Sequence, residues 1–283
     1  MAAARNPWNR VRPGAVTARP AGHPAVVVGV VDGSVDLGHP GLALQSVRVI
    51  GAGADPAPDE PGPSPGHGTL VTAALAARPT APVPGLCPGC AFLVRPVAGV
   101  DTPPAAPAEL AAALDEIAAA GARVVNISLA LGPVAYGRTA TDTGIRLLLA
   151  AVDRAARHGV VVVAAAGNDG GLGGSPLVRH PWVIPVVARD GNGRLLPTST
   201  LGRAIGRHGL TAPVLPGALT GTSAAAPVVT GTVALLWSLF PGAPAEAVRY
   251  AVTRVRPPGR RPSVVPPPLD AAYAYDVLRD LSA

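Results

Sequence analysis

The stretch VVVGVVDGSVDLGHP, residues 26–40, places an apolar strand directly before an aspartate and a glycine. Residues Val26–Val31 contain no polar side chain, as is typical of a strand that is buried on both faces. Strands of that kind belong to parallel sheets covered by helices. Asp32 closes the strand, and the carboxyl ends of parallel strands line the ligand crevice in such folds. The stretch therefore predicts an α/β protein with a functional carboxylate at position 32.

The same alternation of apolar runs and helical stretches continues along the chain. Four more strands are predicted, at Phe92–Ala98, Arg123–Ala130, Val160–Ala166 and Trp182–Ala188. Helices are predicted at Thr69–Ala77, Pro107–Ala120, Asp142–His158, Ser223–Phe240, Pro244–Arg254 and Asp270–Leu281. Gly121 and Gly159 follow two of these helices and are predicted to end them. The pattern indicates a mostly parallel central sheet with helices on both faces.

The composition fits one large folded domain. Of the 283 residues, 48% are hydrophobic and 14% are charged, which argues against extensive disorder. The formal net charge is +6, but every basic residue is an arginine and no aromatic-rich basic stripe accompanies them. We therefore expect no nucleic-acid partner.

We divide the chain into a short extension (1–23), one large domain (24–255) and a Pro- and Arg-rich arm (256–283) that packs on the same domain. The extension carries arginines but no apolar segment like that of a secretory signal. We identify no apolar run of the roughly 20 residues that a membrane span requires. The sequence thus favours a cytoplasmic location and no membrane partner.

The two cysteines, Cys87 and Cys90, lie in the sequence LCPGC. A single CxxC pair cannot complete a four-ligand zinc site, and no histidine is well placed by spacing to help it. We interpret the pair as two loop thiols and expect no metal there. A small-ring disulfide, a redox role and a metal role are the alternatives that the spacing leaves open.

Three further blocks carry chemistry together with Asp32. His67 opens the helical stretch HGTLVTAAL at 67–75, and Ser223 opens another in GTSAAAPVVTGTVALL at 221–236. A serine nucleophile needs a base beside it and a buried acid behind the base, so these residues indicate a serine hydrolase. Asn168 ends the apolar run VVVVAAAGNDG at 160–170, and its side-chain amide suits an oxyanion hole.

These four blocks, in this order, resemble the subtilisin family of serine proteases, and the resemblance covers roughly residues 24–255. It implies the three-layer subtilisin-like α/β fold and a triad of Asp32, His67 and Ser223. It also implies that Asn168 donates to the oxyanion, together with the backbone N–H of Ser223. The expected partner is accordingly a peptide or protein substrate.

The same resemblance implies where the substrate binds. Residues Ser128, Leu129 and Ala130 would form an edge strand that pairs with the substrate backbone. The other wall of the specificity pocket would consist of Ala165, Ala166 and Gly167.

A closer likeness is to the cyanobactin maturation proteases, which cut ribosomally made precursor peptides in the cytoplasm. The block VVDGSVDLGHP, with Gly33 after the aspartate, is similar to theirs, as is GLCPGCAFLVRPV at 85–97. The likeness favours removal of a leader or a follower from a precursor peptide. Three alternatives stay open: a general degradative subtilase, a transpeptidase, and a non-hydrolytic peptide-binding partner in a biosynthetic complex.

Several positions depart from the family pattern. Leu70 and Val228 replace histidines that carry no triad chemistry, and Ala130 stands where many relatives have glycine. The segment ARPTAPVPG, residues 77–85, has almost no side-chain oxygen with which to bind calcium. We therefore expect no cofactor, although the sequence leaves a weak calcium site elsewhere open.

Overall fold

Seven parallel strands form the centre of the protein in the computed structural model, which describes residues 21–51, 66–97, 106–129, 142–215, 217, 219–254 and 263–282. The strands are β1 (Val27–Asp32), β2 (Val47–Val49), β3 (Ala91–Pro96), β4 (Val124–Ile127), β5 (Val161–Ala165), β6 (Ile184–Arg189) and β7 (Leu210–Pro213). Their order in the sheet is β2-β3-β1-β4-β5-β6-β7.

The order of the strands reverses direction next to β1. The chain goes from β1 to the β2-β3 side and then crosses to β4, so that β1 lies between β3 and β4. A crevice outside the carboxyl ends of the strands forms at such a reversal, and ligands bind there in open α/β sheets. Asp32 ends β1 at this point of the sheet.

Helices cover both faces of the sheet. They are α1 (His67–Ala76), α2 (Pro107–Ala119), α3 (Asp142–Arg157), α4 (Pro176–Arg179), α5 (Arg203–His208), α6 (Gly221–Leu239), α7 (Ala245–Thr253) and α8 (Ala271–Leu281). One hydrophobic cluster joins the sheet to α1, α6, α7 and α8, and a second joins it to α2, α3, α4 and α5. Successive strand residues such as Val124 and Val125 enter opposite clusters. This explains the unbroken apolar runs and confirms the α/β fold with helices on both faces.

Helix α6 lies in the interior. It is 19 residues long and apolar enough to cross a membrane by length and composition, but 89% of its apolar window is buried inside the fold. It packs against β4, β5, β6 and β7 as well as α1. These contacts are those of the core helix of a globular domain.

The predicted strands and helices are present, with ends that differ from the prediction by at most three residues. Four short elements were not predicted from the sequence. They are β2, β7, α4 and α5. The segment at 169–181, which has no predicted element, contains α4. Three to six residues are too few to show a period, and Arg48 in the middle of β2 is exposed.

The C-terminal segment 263–270 runs beside β7. The backbone N–H of Thr211 donates to the carbonyl of Pro267 at 2.7 Å, and the N–H of Leu269 donates to the carbonyl of Thr211 at 2.9 Å. Helix α8 then packs against α7. Residues 1–20 and 255–262 lie outside the described residues, so the division of the chain at 23 and 255 stays a prediction.

Gly121 ends α2 as predicted, with a φ of +96° and no atom within 4 Å of the place of a β-carbon. We expect Gly121→Ala to lower the free energy of unfolding by about 1–2 kcal/mol, because a side chain is disfavoured in the left-handed region. Gly242→Ala is the matched control, since Gly242 has equal space and no positive φ. Chemical denaturation measures both, and equal changes in the two variants would contradict the backbone argument.

Candidate active site

The carboxyl ends of β1, β4 and β5 bring three sequence-predicted residues to one edge of the sheet. Asp32 ends β1, Ser128 follows β4, and Asn168 follows β5 after two intervening residues. The first turns of α1 and α6 approach the same edge, with His67 bonded to Asp32 and Ser223 bonded to Ser128. Residues from five elements thus surround one crevice.

The carboxylate of Asp32 is completely buried and holds His67. Its Oδ1 accepts hydrogen bonds from the backbone N–H of Gly33 at 2.8 Å and from Nδ1 of His67 at 2.6 Å. Because an ionised carboxylate only accepts, the proton of the neutral imidazole lies on Nδ1. Nε2 is then the basic nitrogen, on a side chain that is 27% exposed.

Helix α1 is held against the loop that follows β1. The hydroxyl of Thr69 accepts a hydrogen bond from the backbone N–H of Asp36 at 2.8 Å. Thr69 is completely buried, two residues after His67. This contact fixes the first turn of α1 beside Asp32 and so helps to place the imidazole.

Ser223 is the third residue of α6 and is 8% exposed. Its Oγ donates to the backbone carbonyl of Ser128 at 2.8 Å, and the hydroxyl of Ser128 donates to the backbone carbonyl of Ser223 at 3.1 Å. The first four N–H groups of a helix have no partner within the helix, and the N–H of Ser223 is one of them. The start of α6 therefore presents a hydroxyl and a backbone donor at the crevice.

The side-chain amide of Asn168 is oriented by Thr222. Its Oδ1 accepts from the backbone N–H of Thr222 at 2.9 Å and from the hydroxyl of Thr222 at 3.0 Å. That hydroxyl in turn accepts from the N–H of Gly167 at 3.3 Å. With the oxygen end of the amide bonded in this way, Nδ2 is the end that can donate to a ligand. The sequence block GTS contains Thr222, but spacing alone assigns it no role.

The residue after Asn168 carries a negative charge. The hydroxyl of Thr200 and the backbone N–H of Gly171 donate to Asp169 and hold the pKa of its carboxyl below the usual value. No local pattern connects Asp169 with Thr200, because the two residues are 31 positions apart in the sequence.

The predicted substrate-binding residues follow the carboxyl ends of β4 and β5. Strand β4 ends at Ile127 and lies between β1 and β5, so Ser128 and Leu129 follow an interior strand. Ala130 lies outside the described residues. On the other side, Ala165 ends β5, and Ala166 and Gly167 follow it. Their roles toward a substrate stay predictions.

Cys87 and Cys90 are buried free thiols at a turn before β3. The N–H of Cys90 donates to the carbonyl of Cys87 at 3.0 Å. A hydrogen bond between the thiols raises the pKa of Cys87 and lowers that of Cys90, and burial raises the pKa of Cys87 further. No group of three or more metal-ligating side chains occurs in the described part of the chain.

Comparison with known proteins identifies relatives along most of the chain. Residues 23–256 match the sequence profile of the subtilase family. Subtilisin DY from Bacillus licheniformis is 30% identical over 245 aligned positions, which cover 79% of this chain and 81% of that protein.

Two solved structures resemble this fold closely. The prenylagaramide maturation protease PagA superimposes with a TM-score of 0.78 at 27% identity, covering 94% of this chain and 99% of PagA. A variant of the protease domain of PatA superimposes with a TM-score of 0.79 at 28% identity, covering 94% of this chain and 98% of that domain.

Gly221 opens α6 with a φ of +62°, and a β-carbon there would lie 2.5 Å from Oδ1 of Asn168. We expect Gly221→Ala to displace the Asn168 amide and break its bond with the N–H of Thr222. Gly217→Ala is the control, because Gly217 also has a positive φ but has no atom within 4 Å. Crystal structures of both variants test this, and an unmoved Asn168 in Gly221→Ala would contradict it.

Proposed function

Because the chain belongs to the subtilase family and is a serine endopeptidase, we propose that Asp32, His67 and Ser223 are its catalytic triad and that Asn168 completes the oxyanion hole. The observation that carries the assignment is the 2.6 Å bond between Nδ1 of His67 and the buried carboxylate of Asp32. That bond leaves Nε2 of a partly exposed imidazole as the general base, on helix α1, which packs against α6.

Acylation begins with the hydroxyl of Ser223. In the resting structure its Oγ donates to the carbonyl of Ser128, so the hydroxyl turns from that carbonyl to the imidazole before reaction. Oγ attacks the scissile carbonyl carbon while Nε2 of His67 takes the hydroxyl proton. Asp32 stabilises the imidazolium that forms. The imidazolium then gives the proton to the leaving amine, and the peptide bond breaks to leave an acyl-enzyme.

The negative charge of the tetrahedral intermediate falls near two donors. Nδ2 of Asn168 and the backbone N–H of Ser223 are arranged around the same helix start, where the helix dipole also favours an anion. Water, activated by the same imidazole, then hydrolyses the acyl-enzyme and restores the hydroxyl of Ser223. We propose that these steps use only residues of the chain and a water molecule.

For the substrate we propose a ribosomally made precursor peptide, from which the enzyme removes a leader or a follower in the cytoplasm, where such precursors are made. The likeness to the maturation proteases PagA and PatA supports this class, because it extends over almost the whole of those structures. The 30% identity to subtilisin DY supports a second candidate, general degradation of proteins.

Substitution of the proposed oxyanion donor tests the mechanism. We expect Asn168→Ala to lower kcat on a fluorogenic peptide by about 10²–10³-fold with little change in KM, as removal of such a donor does in other proteases. Asn192→Ala is the control, because Asn192 is an exposed asparagine in the turn after β6. Equal kcat values for the two variants would contradict the role of Asn168.

Labelling with a fluorophosphonate tests the nucleophile. We expect one covalent adduct, mapped by mass spectrometry to Ser223, and none in Ser223→Ala. A folded parent protein that never reacts would contradict the triad and would support the peptide-binding alternative.

Cleavage of a proteome-derived peptide library separates the two substrate classes. A maturation enzyme is expected to cut few peptides, all with a common sequence at the cut, because its substrate is one precursor. A purified degradative subtilisin serves as the control for broad cleavage. Broad cleavage of the library and of unfolded casein by this enzyme would contradict the maturation proposal and leave the triad untouched.

A further inference from the structure

Pro227 removes a hydrogen bond from the first turns of α6. In an α-helix the carbonyl of Ser223 would accept from the N–H of residue 227. Pro227 has no N–H, and its ring crowds the carbonyl four residues before it. The backbone of Ser223 therefore lacks the helical bond that would otherwise fix it, at a residue that is only 8% exposed.

The hydroxyl of Ser128 replaces the missing donor. Ser128 is 1% exposed, and its Oγ donates to the carbonyl of Ser223 at 3.1 Å. Its own carbonyl accepts from Oγ of Ser223 at 2.8 Å. Ser128 thus bonds to both the backbone and the side chain of Ser223, from the segment that follows β4.

Two completely buried residues, Asn126 and Thr230, continue the series of hydrogen bonds that begins at Ser128. Nδ2 of Asn126 donates to Oγ of Ser128 at 2.8 Å, and the hydroxyl of Thr230 donates to Oδ1 of Asn126 at 2.9 Å. The direction of these hydrogen bonds follows from the last acceptor in the series, the carbonyl of Ser223. Because the carbonyl of Ser223 can only accept, the Ser128 hydroxyl donates to it and accepts from Asn126, and the amide oxygen then faces Thr230.

We infer that Thr230 and Asn126 are positioning residues for Ser223, which act through Ser128 to replace the backbone hydrogen bond lost at Pro227. This inference rests on the proposed function of Ser223 as the nucleophile. The backbone orientation of Ser223 sets the direction of both its hydroxyl and its N–H. We call the hydrogen bonds from Thr230 through Asn126 and Ser128 to the carbonyl of Ser223 the relay. The relay consequently aligns the nucleophile and one oxyanion donor together.

Loss of the Thr230 hydroxyl disturbs this alignment by a definite route. In Thr230→Val the buried Oδ1 of Asn126 loses its donor, and an unsatisfied buried acceptor is costly. Without that donor, the amide of Asn126 loses the bond that directs its Nδ2 toward Ser128. The Ser128 hydroxyl is then held less firmly toward the carbonyl of Ser223, and the start of α6 is fixed less rigidly.

Thr232 provides a matched control. It is also a buried threonine of α6, but its hydroxyl donates to the carbonyl of Val228 in its own helix at 2.8 Å. The substitution Thr232→Val therefore removes the same atoms from the same helix without affecting Asn126. Thr230→Ser keeps the hydroxyl that the relay needs.

The experiment measures the rate of fluorophosphonate labelling, kcat and KM on a fluorogenic peptide, and Tm for each variant. We expect Thr230→Val to reduce the labelling rate and kcat by roughly 10-fold with KM unchanged, since misplaced reacting groups cost up to about 100-fold. Thr230→Ser is expected to restore most of the rate. Thr232→Val is expected to react like the parent, whatever its Tm.

A double-mutant cycle separates the relay from a general loss of packing. Because Thr230 acts through Ser128, adding Thr230→Val to Ser128→Ala is expected to cause no further loss of labelling rate. Ser128→Ala alone also tests the relay where Thr230→Val does not fold, and its expected effect is the same loss of rate.

The outcomes distinguish failure of the relay from failure of the catalytic triad. Equal labelling rates in Thr230→Val and Thr232→Val, a parent-like rate in Ser128→Ala, or additive losses in the double variant would overturn the relay while the triad stands. A parent enzyme that is not labelled at Ser223 would overturn the proposed function, and the relay with it.

Discussion

A carboxylate buried in the middle of the sheet is the constraint on which the active site depends. Asp32 is inaccessible to solvent, and its Oδ2 has no hydrogen-bond partner among the residues that the structure describes. Its other oxygen, Oδ1, accepts from the N–H of Gly33 and from Nδ1 of His67, so the carboxylate directs its hydrogen bonding toward the imidazole. The topology creates this environment, because β1 ends between β3 and β4 with helices on both faces. Asp32 thereby fixes the orientation of the His67 ring through the 2.6 Å bond to Nδ1.

The nucleophile is positioned by tertiary contacts more than by its own helix. Helix α6 begins with a glycine in a left-handed conformation and lacks one backbone bond at Pro227. Hydrogen bonds to residues outside the helix hold its first turn instead. Asn168 accepts from Thr222 on one side, and Ser128 donates to the carbonyl of Ser223 on the other. The residues after β4 and β5 therefore determine where the helix starts. Because both strands are interior, the sheet supplies the rigidity that the first turn of α6 lacks.

The sequence was enough to predict the layered fold and the positions of the chemistry-bearing side chains, for physical reasons. Strands covered on both faces have unbroken apolar runs. The aspartate and asparagine lie at or shortly after the ends of two such strands, and the histidine and serine lie in the first turns of two helices. The supporting bonds could not be read in the same way. Ser128 and Ser223 are 95 positions apart, and Thr230 and Asn126 are 104 apart, so no local pattern connects them. The end of β4 was predicted three residues too late, at Ala130, because the apolar run continues beyond Ile127, where β4 stops pairing.

A crystal structure of the enzyme inhibited by a peptidyl phosphonate would show how these residues surround the reacting group, because the adduct mimics the tetrahedral intermediate. The triad assignment predicts phosphorus bonded to Oγ of Ser223, with a phosphonyl oxygen within about 3 Å of both Nδ2 of Asn168 and the N–H of Ser223. It also predicts that Nδ1 of His67 keeps its bond to Asp32. Phosphorus on another residue, or a phosphonyl oxygen directed away from both donors, would contradict it.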